Sequence, residues 1–168
     1  MQFIGYQNYK ELLDTFCNFL VERLGNSLTS LVLYGSVARG DARYESDIDL
    51  LIILKDTSPS YFKRLAPVLE VDRRLRFTEV YKSLQAEGFF PYLSFLILSE
   101  AETRQNRYIF LDMIEDSIIL FDKGDFFNGT LERLKRRLKE LGAKRIYVGE
   151  TWYWDLKPDL VLGEVFEL

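Results

Sequence analysis

Apolar residues first recur at helical spacing in Leu13, Phe16, Cys17, Leu20, Val21 and Leu24, one stripe among polar neighbours. This period predicts an amphipathic helix from about Tyr6 to Leu24, with Cys17 a core residue of its stripe. The pattern then changes. Ser30 to Tyr34 and Leu50 to Leu54 are short apolar runs without alternation, as expected of strands buried on both faces. Ser58-Pro59 reads as an N-cap and first helical residue of a region that reaches about Gln85, and Pro67 should kink or divide it. Gly88 separates that region from a strand candidate at Pro91 to Ser99.

Farther along, Ala101 to Glu115 reads as helix, Ser117 to Asp122 as a short strand, and Phe126 to Leu141 as a helix ended by Gly142. Phe127, Leu131, Leu134, Leu138 and Leu141 form the buried stripe of that last helix. Its opposite surface carries Arg133, Lys135, Arg136, Arg137 and Lys139, a basic face that solvent explains more simply than RNA or an acidic partner. Lys144 to Val148 can add one edge strand. Trp152-Tyr153-Trp154 then sits in a segment with no clear period, whose aromatics suit docking on the body of the protein better than stacking on bases.

Two stretches carry chemistry as well as hydrophobicity. In Leu33-Tyr34-Gly35-Ser36-Val37-Ala38-Arg39-Gly40 an apolar run ends at a glycine, which permits a turn and close backbone approach to a ligand. Ser36 reads as the N-cap of a short helix whose free N–H groups, with the hydroxyl, suit an anion. Arg39, one turn on, suits phosphate, and Gly40 ends the turn. In Ser46-Asp47-Ile48-Asp49-Leu50 two carboxylates two residues apart project from one face of a strand. Held that closely they repel, and a divalent cation relieves the repulsion. Phosphate cradle and cation site together read as a nucleotide site.

On those residues the chain resembles the minimal nucleotidyltransferases of the DNA polymerase beta-like nucleotidyltransferase superfamily. Gly-Ser-x-Ala-Arg-Gly is matched by Gly35 to Gly40, and Ser-Asp-Ile-Asp-Leu by Ser46 to Leu50. The resemblance implies a nucleotidyltransferase fold of the α/β class (α+β type), a central mixed sheet flanked by helices. It implies Mg²⁺ (or Mn²⁺) on Asp47 and Asp49, and Gly35, Ser36 and Arg39 on the phosphates of ATP or another nucleoside triphosphate. The implied reaction moves a nucleoside monophosphate, AMP from ATP, to a hydroxyl acceptor. The implied partner is a small helical HEPN-like protein in a toxin-antitoxin pair. A third carboxylate, usual on a later strand in the superfamily, is missing from Tyr92 to Leu98, where Ser94 or Tyr92 takes its place; Glu70, Asp72, Glu79 and Glu100 lie elsewhere. This gap keeps an alternative open, a non-catalytic antitoxin or complex subunit on the same fold.

Composition narrows the surroundings. The 168 residues, 48% hydrophobic and 15% aromatic, suffice for a real core and suit a single nucleotidyltransferase-like domain over 1–168, with 143–168 an appended strand and docked tail. A net charge of -4 gives no global drive toward nucleic acid, which is not the favoured partner. One cysteine excludes an internal disulfide and, with no signal-peptide pattern, points to the cytoplasm. No apolar run approaches membrane-spanning length. No histidine is present to act as base or zinc ligand.

Overall fold

A computed structural model describes residues 4–55, 60–105, 108–149, 151–161 and 163–168. The first amphipathic stripe forms α1, Tyr6–Leu24, with Leu12, Leu13, Phe16 and Leu20 buried and Cys17 half-buried against the same core. The chain turns directly into β1, Leu28–Tyr34, two residues earlier than its apolar run suggests, because Leu28, Thr29 and Ser30 are buried too. A single helical turn, α2, Gly35–Arg39, leads to β2, Ile48–Leu54.

The next region is helical but is not divided where proline stands. Pro67 lies inside α3, Tyr61–Arg76, which runs through it without a break. Proline forfeits the bond to the carbonyl four residues back, here that of exposed Lys63, where water can take its place. The break comes instead at Phe77 and Thr78. Thr78 donates its hydroxyl to the Leu75 carbonyl and accepts the N–H of Tyr81, so it caps α4, Glu79–Ala86. The expected start at Ser58-Pro59 lies outside the described residues.

Strand β3, Leu93–Ser99, follows. The helix expected from Ala101 to Glu115 is two pieces, α5 over Glu100–Thr103 and α6 over Ile109–Asp116. Ser99 and Glu102 form a reciprocal capping box that starts α5 at once as β3 ends. Strand β4, Ile118–Asp122, and helix α7, Phe126–Glu140, come next, the latter burying Phe127, Leu131, Leu134 and Leu138 as its stripe requires. Lys144–Val148, β5, does not extend the central sheet as an edge strand. It pairs antiparallel with β6, Thr151–Asp155, in a separate hairpin.

The central sheet has the order β3-β2-β1-β4. β1 is antiparallel to β2 and β4, while β2 and β3 are parallel, so the sheet is mixed and β2 is internal. Alternation of side chains splits the core in two. Leu31, Leu33, Leu50, Ile52 and Ile97 face α1, α3 and α4. Val32, Leu51, Ile53 and Leu98 face α6 and α7, where Phe110 and Phe127 meet edge to face. Trp154, Leu156 and Leu168 pack against this second layer, so the aromatic tail docks on the body. Among the described residues no helix is long and apolar enough to cross a membrane.

Candidate functional site

The register of the sheet gathers the singled-out residues at one end. Tyr34, last in β1, stands opposite Asp49 in β2, and Asp49 stands opposite Ser94 in β3. By alternation Asp49 shares a face with Leu51 and Ile53, and Ser94 with Leu96 and Leu98, which is the face covered by α6 and α7. Asp47, one residue before β2, is exposed, whereas Asp49 is half-buried.

Gly35 is built into this geometry. Its φ of 74° is left-handed, and a Cβ added there would lie 2.4 Å from Asp49 Oδ2. Only glycine lets the backbone lie so close to the carboxylate. Ser36 was expected to cap the short helix, but α2 starts one residue earlier. Tyr34, extended, stands at the cap position and no side chain caps α2. The Ser36 hydroxyl is thereby left for another acceptor or donor, and the Ser36 carbonyl takes the N–H groups of Gly40 and Asp41 as the turn closes at Gly40, φ 81°.

The electrostatics fit a carboxylate held ready for a cation. Burial raises the pKa of Asp49 above the ordinary value; a hydrogen bond from Ser94 pulls it down, the Asp47 charge pushes it up, and the Arg39 charge pulls it down. Burial, then the Asp49 charge, pushes the Tyr34 phenol up to about 12, so Tyr34 stays neutral. Arg39 donates its Nε to Asp41 at 3.1 Å, and its guanidinium lies 5.1 Å from the centre of the Trp152 ring. Trp152 also donates Nε1 to Asp112 at 3.1 Å and carries the Arg145 guanidinium 4.3 Å from its ring centre. The hairpin therefore reaches the site through Arg39, a contact that no spacing in the sequence signals.

Gly35, Ser36, Arg39, Asp47 and Asp49 thus meet at one end of the sheet, with Asp41 engaged by Arg39 beside them. Among the described residues no group of three or more histidine, cysteine, aspartate or glutamate side chains is placed to hold a metal. Ser94 takes the position beside Asp49. The four other acids singled out in the sequence are engaged elsewhere: Glu70 with Arg23, Asp72 with Arg76, Glu79 with Lys82, and Glu100 with Thr29 and Arg104. What the residues can do together is hold a phosphate chain against Gly35 and Ser36 while two carboxylates share one cation.

A mixed sheet with helices on both faces and this pair of motifs at one end define a nucleotidyltransferase fold. The chain belongs to the nucleotidyltransferase domain family, whose model matches residues 13–148. It is 26% identical over 155 residues to a candidate protein adenylyltransferase of Methanocaldococcus jannaschii, covering 89% of this chain and 95% of that one. Among solved structures, the spectinomycin adenyltransferase of Enterococcus faecialis with ATP and spectinomycin shares the fold with a TM-score of 0.51 at 13% identity, over 79% of this chain and 66% of that one. A Shewanella oneidensis complex of a tri-AMPylated HEPN toxin with an MNT antitoxin gives a TM-score of 0.41 at 14% identity, over 84% of this chain and 93% of that one.

Proposed function

We propose that this protein is a Mg²⁺-dependent nucleotidyltransferase that moves AMP from ATP to a hydroxyl of a partner protein. The observation that carries the reading is Asp49, half-buried against Gly35 and in register with Ser94, with Asp47 two residues before it and close enough for its charge to raise the Asp49 pKa. The donor set suits a divalent cation: hard oxygens, two carboxylates that repel, and one of them resisting ionisation because it is buried. Asp47 and Asp49 would hold it. Bound there, the cation supplies charge neutralisation for the triphosphate and its leaving group.

The chain's own groups supply the rest. The Gly35 and Ser36 N–H groups and the Ser36 hydroxyl bind phosphate oxygens, and Arg39 adds positive charge. The acceptor oxygen forms its bond to the α-phosphorus as the bridging bond breaks, pyrophosphate leaves, and the hydroxyl proton passes to solvent or to the acceptor protein. Such transfer rests mainly on positioning and charge neutralisation, which two carboxylates provide. A protein acceptor is favoured by the M. jannaschii relative, which is named for protein adenylyl transfer and matches along 95% of its length. The motif resemblance adds a HEPN-like partner in a toxin-antitoxin pair.

One observation favours a second reading, an antitoxin or subunit that binds nucleotide or partner without turnover. Opposite Asp49 in β3, the strand where an acid was expected from the resemblance, stands Ser94, which supplies no carboxylate base. Incubation of the protein with ATP labelled at the α-phosphate and a cell extract of the source organism separates the two. Transfer is expected to label a protein in the presence of wild type and not of Asp47→Asn; an extract left unlabelled by wild type would favour the binding protein.

A further inference from the structure

Between α6 and the hairpin the structure holds an open cavity of about 520 Å³ that the phosphate chemistry does not use. Its walls include Tyr108, Leu111 and Asp112 at and within α6, Trp152 and Trp154 of β6, and Leu156. A space of this size lined by aromatic and aliphatic groups, with Asp112 the single carboxylate among the described residues, is the usual form of a site for a planar organic ligand. Both tryptophans of the chain line it.

Its position relates it to the candidate site. α6 covers the same face of the sheet from which Asp49 and Ser94 project. α6 also ends at Asp116, just before β4 begins at Ile118, and Ile118 pairs with Leu33 at the end of β1 that leads to Gly35. The cavity and the carboxylates therefore lie on one face and toward one end of the sheet. Arg39 joins them, since its guanidinium lies over Trp152 while its charge acts on Asp49.

The walls are held before any ligand arrives. Trp152 is fixed by its bond to Asp112 and by Arg39 and Arg145. Arg145 in turn bridges Glu115 and Asp116 of α6 at 2.6 Å and 2.7 Å, clamping the hairpin to the helix. Asp112 uses Oδ1 for Trp152, and its side chain is exposed. The second carboxylate oxygen remains available for a further hydrogen bond at the cavity wall.

We infer that this cavity receives the nucleobase of the triphosphate, with Asp112 accepting a hydrogen bond from an exocyclic amino group of the base. The inference rests on the proposed nucleotide site and adds its base specificity. A carboxylate attracts the amino-bearing edge of adenine and repels uracil, whose donor is flanked by two carbonyl oxygens. Arg39 and Arg145 already lie over the Trp152 ring, and the rings of Tyr108 and Trp154 in the same lining suit the flat face of a purine.

Calorimetry with Mg²⁺ and three probes, ATP, UTP and inorganic tripolyphosphate, tests it, alongside tryptophan emission, which reports on this cavity because both tryptophans line it. Wild type is expected to bind ATP at least tenfold more tightly than tripolyphosphate or UTP, with a saturable change in emission. Asp112→Asn keeps an oxygen for Trp152 but presents an amide where the base needs an acceptor. It is expected to remove most of the ATP advantage and leave tripolyphosphate affinity unchanged. Equal affinity for all three probes would overturn the base pocket and leave the phosphate and metal site standing. An ATP preference that survives Asp112→Asn with emission unmoved would place the base elsewhere and overturn it as well. Binding of none of the probes would remove the nucleotide reading itself and this inference with it.

Discussion

Gly35 and Asp49 occupy space that only one arrangement of the two can fill. At φ 74° a non-glycine residue costs about 1–2 kcal/mol, and a methyl group at 2.4 Å from Asp49 Oδ2 must displace the carboxylate. Gly35→Ala is therefore expected to lower stability by about that amount, read by urea unfolding, and to abolish Mg²⁺-dependent ATP binding. Ser94 is the second residue with a defined part. Its hydrogen bond favours the ionised form of Asp49 against burial and the Asp47 charge, which both raise the pKa. Asp49 must be ionised to hold a cation, so binding is lost as pH falls through its pKa. Ser94→Ala removes a lowering influence and is expected to move the acid limb of Mg²⁺-dependent ATP binding to higher pH; an unmoved limb would show that the Ser94 hydroxyl does not govern Asp49. At this scale the motif residues were legible in the sequence because each motif is contiguous. The place of Ser94 was legible only as one of two options, since the register of β2 against β3 is a contact between distant segments.

Among elements, α3 and α5 are locked together by one ion pair. Arg64, 8% exposed, donates to both carboxylate oxygens of Glu102, which also accepts the Ser99 N–H of the capping box. Arg64 above all holds the Glu102 pKa down to about 2. With the folded value below the unfolded one of about 4.5, the pair contributes stability that is complete above the unfolded pKa and is lost as pH falls toward 2. Glu102→Gln is expected to lower Tm at neutral pH and to flatten the fall of Tm between about pH 4.5 and 2. An acid limb identical to wild type would remove the pair from the account. The elements also show what periodicity can reveal. α1 and α7 match their apolar stripes because burial on one face imposes a helical period. β6 was not legible because its aromatics are not sorted into one buried and one exposed set: Trp154 is half-buried in the second core, Trp152 is held by Arg39, Arg145 and Asp112, and Tyr153 is exposed. The break after Arg76 was misplaced to Pro67 because a proline marks a lost hydrogen bond, and an exposed carbonyl can lose one without ending a helix.

In the whole molecule, the sheet fixes the chemistry at one end while its two faces are filled for stability. The ends of β1 and β2 bring Gly35, Asp47 and Asp49 together, and the hairpin closes over the same face through Trp152 and Arg145. Family, fold class and candidate residues follow from local pattern, whereas the cavity follows from packing of α6 against the hairpin, and the Arg39–Trp152 contact from packing between segments more than a hundred residues apart. If the proposed function holds, this arrangement is a working metal-dependent nucleotide site. Calorimetry of ATP binding with and without Mg²⁺, beside an Asp47→Asn/Asp49→Asn double variant with unchanged circular dichroism, tests it most directly. ATP binding is expected to require both Mg²⁺ and the two aspartates. Absence of binding in the folded wild type, or binding indifferent to the aspartates, would contradict it and leave a partner-binding protein on a nucleotidyltransferase fold.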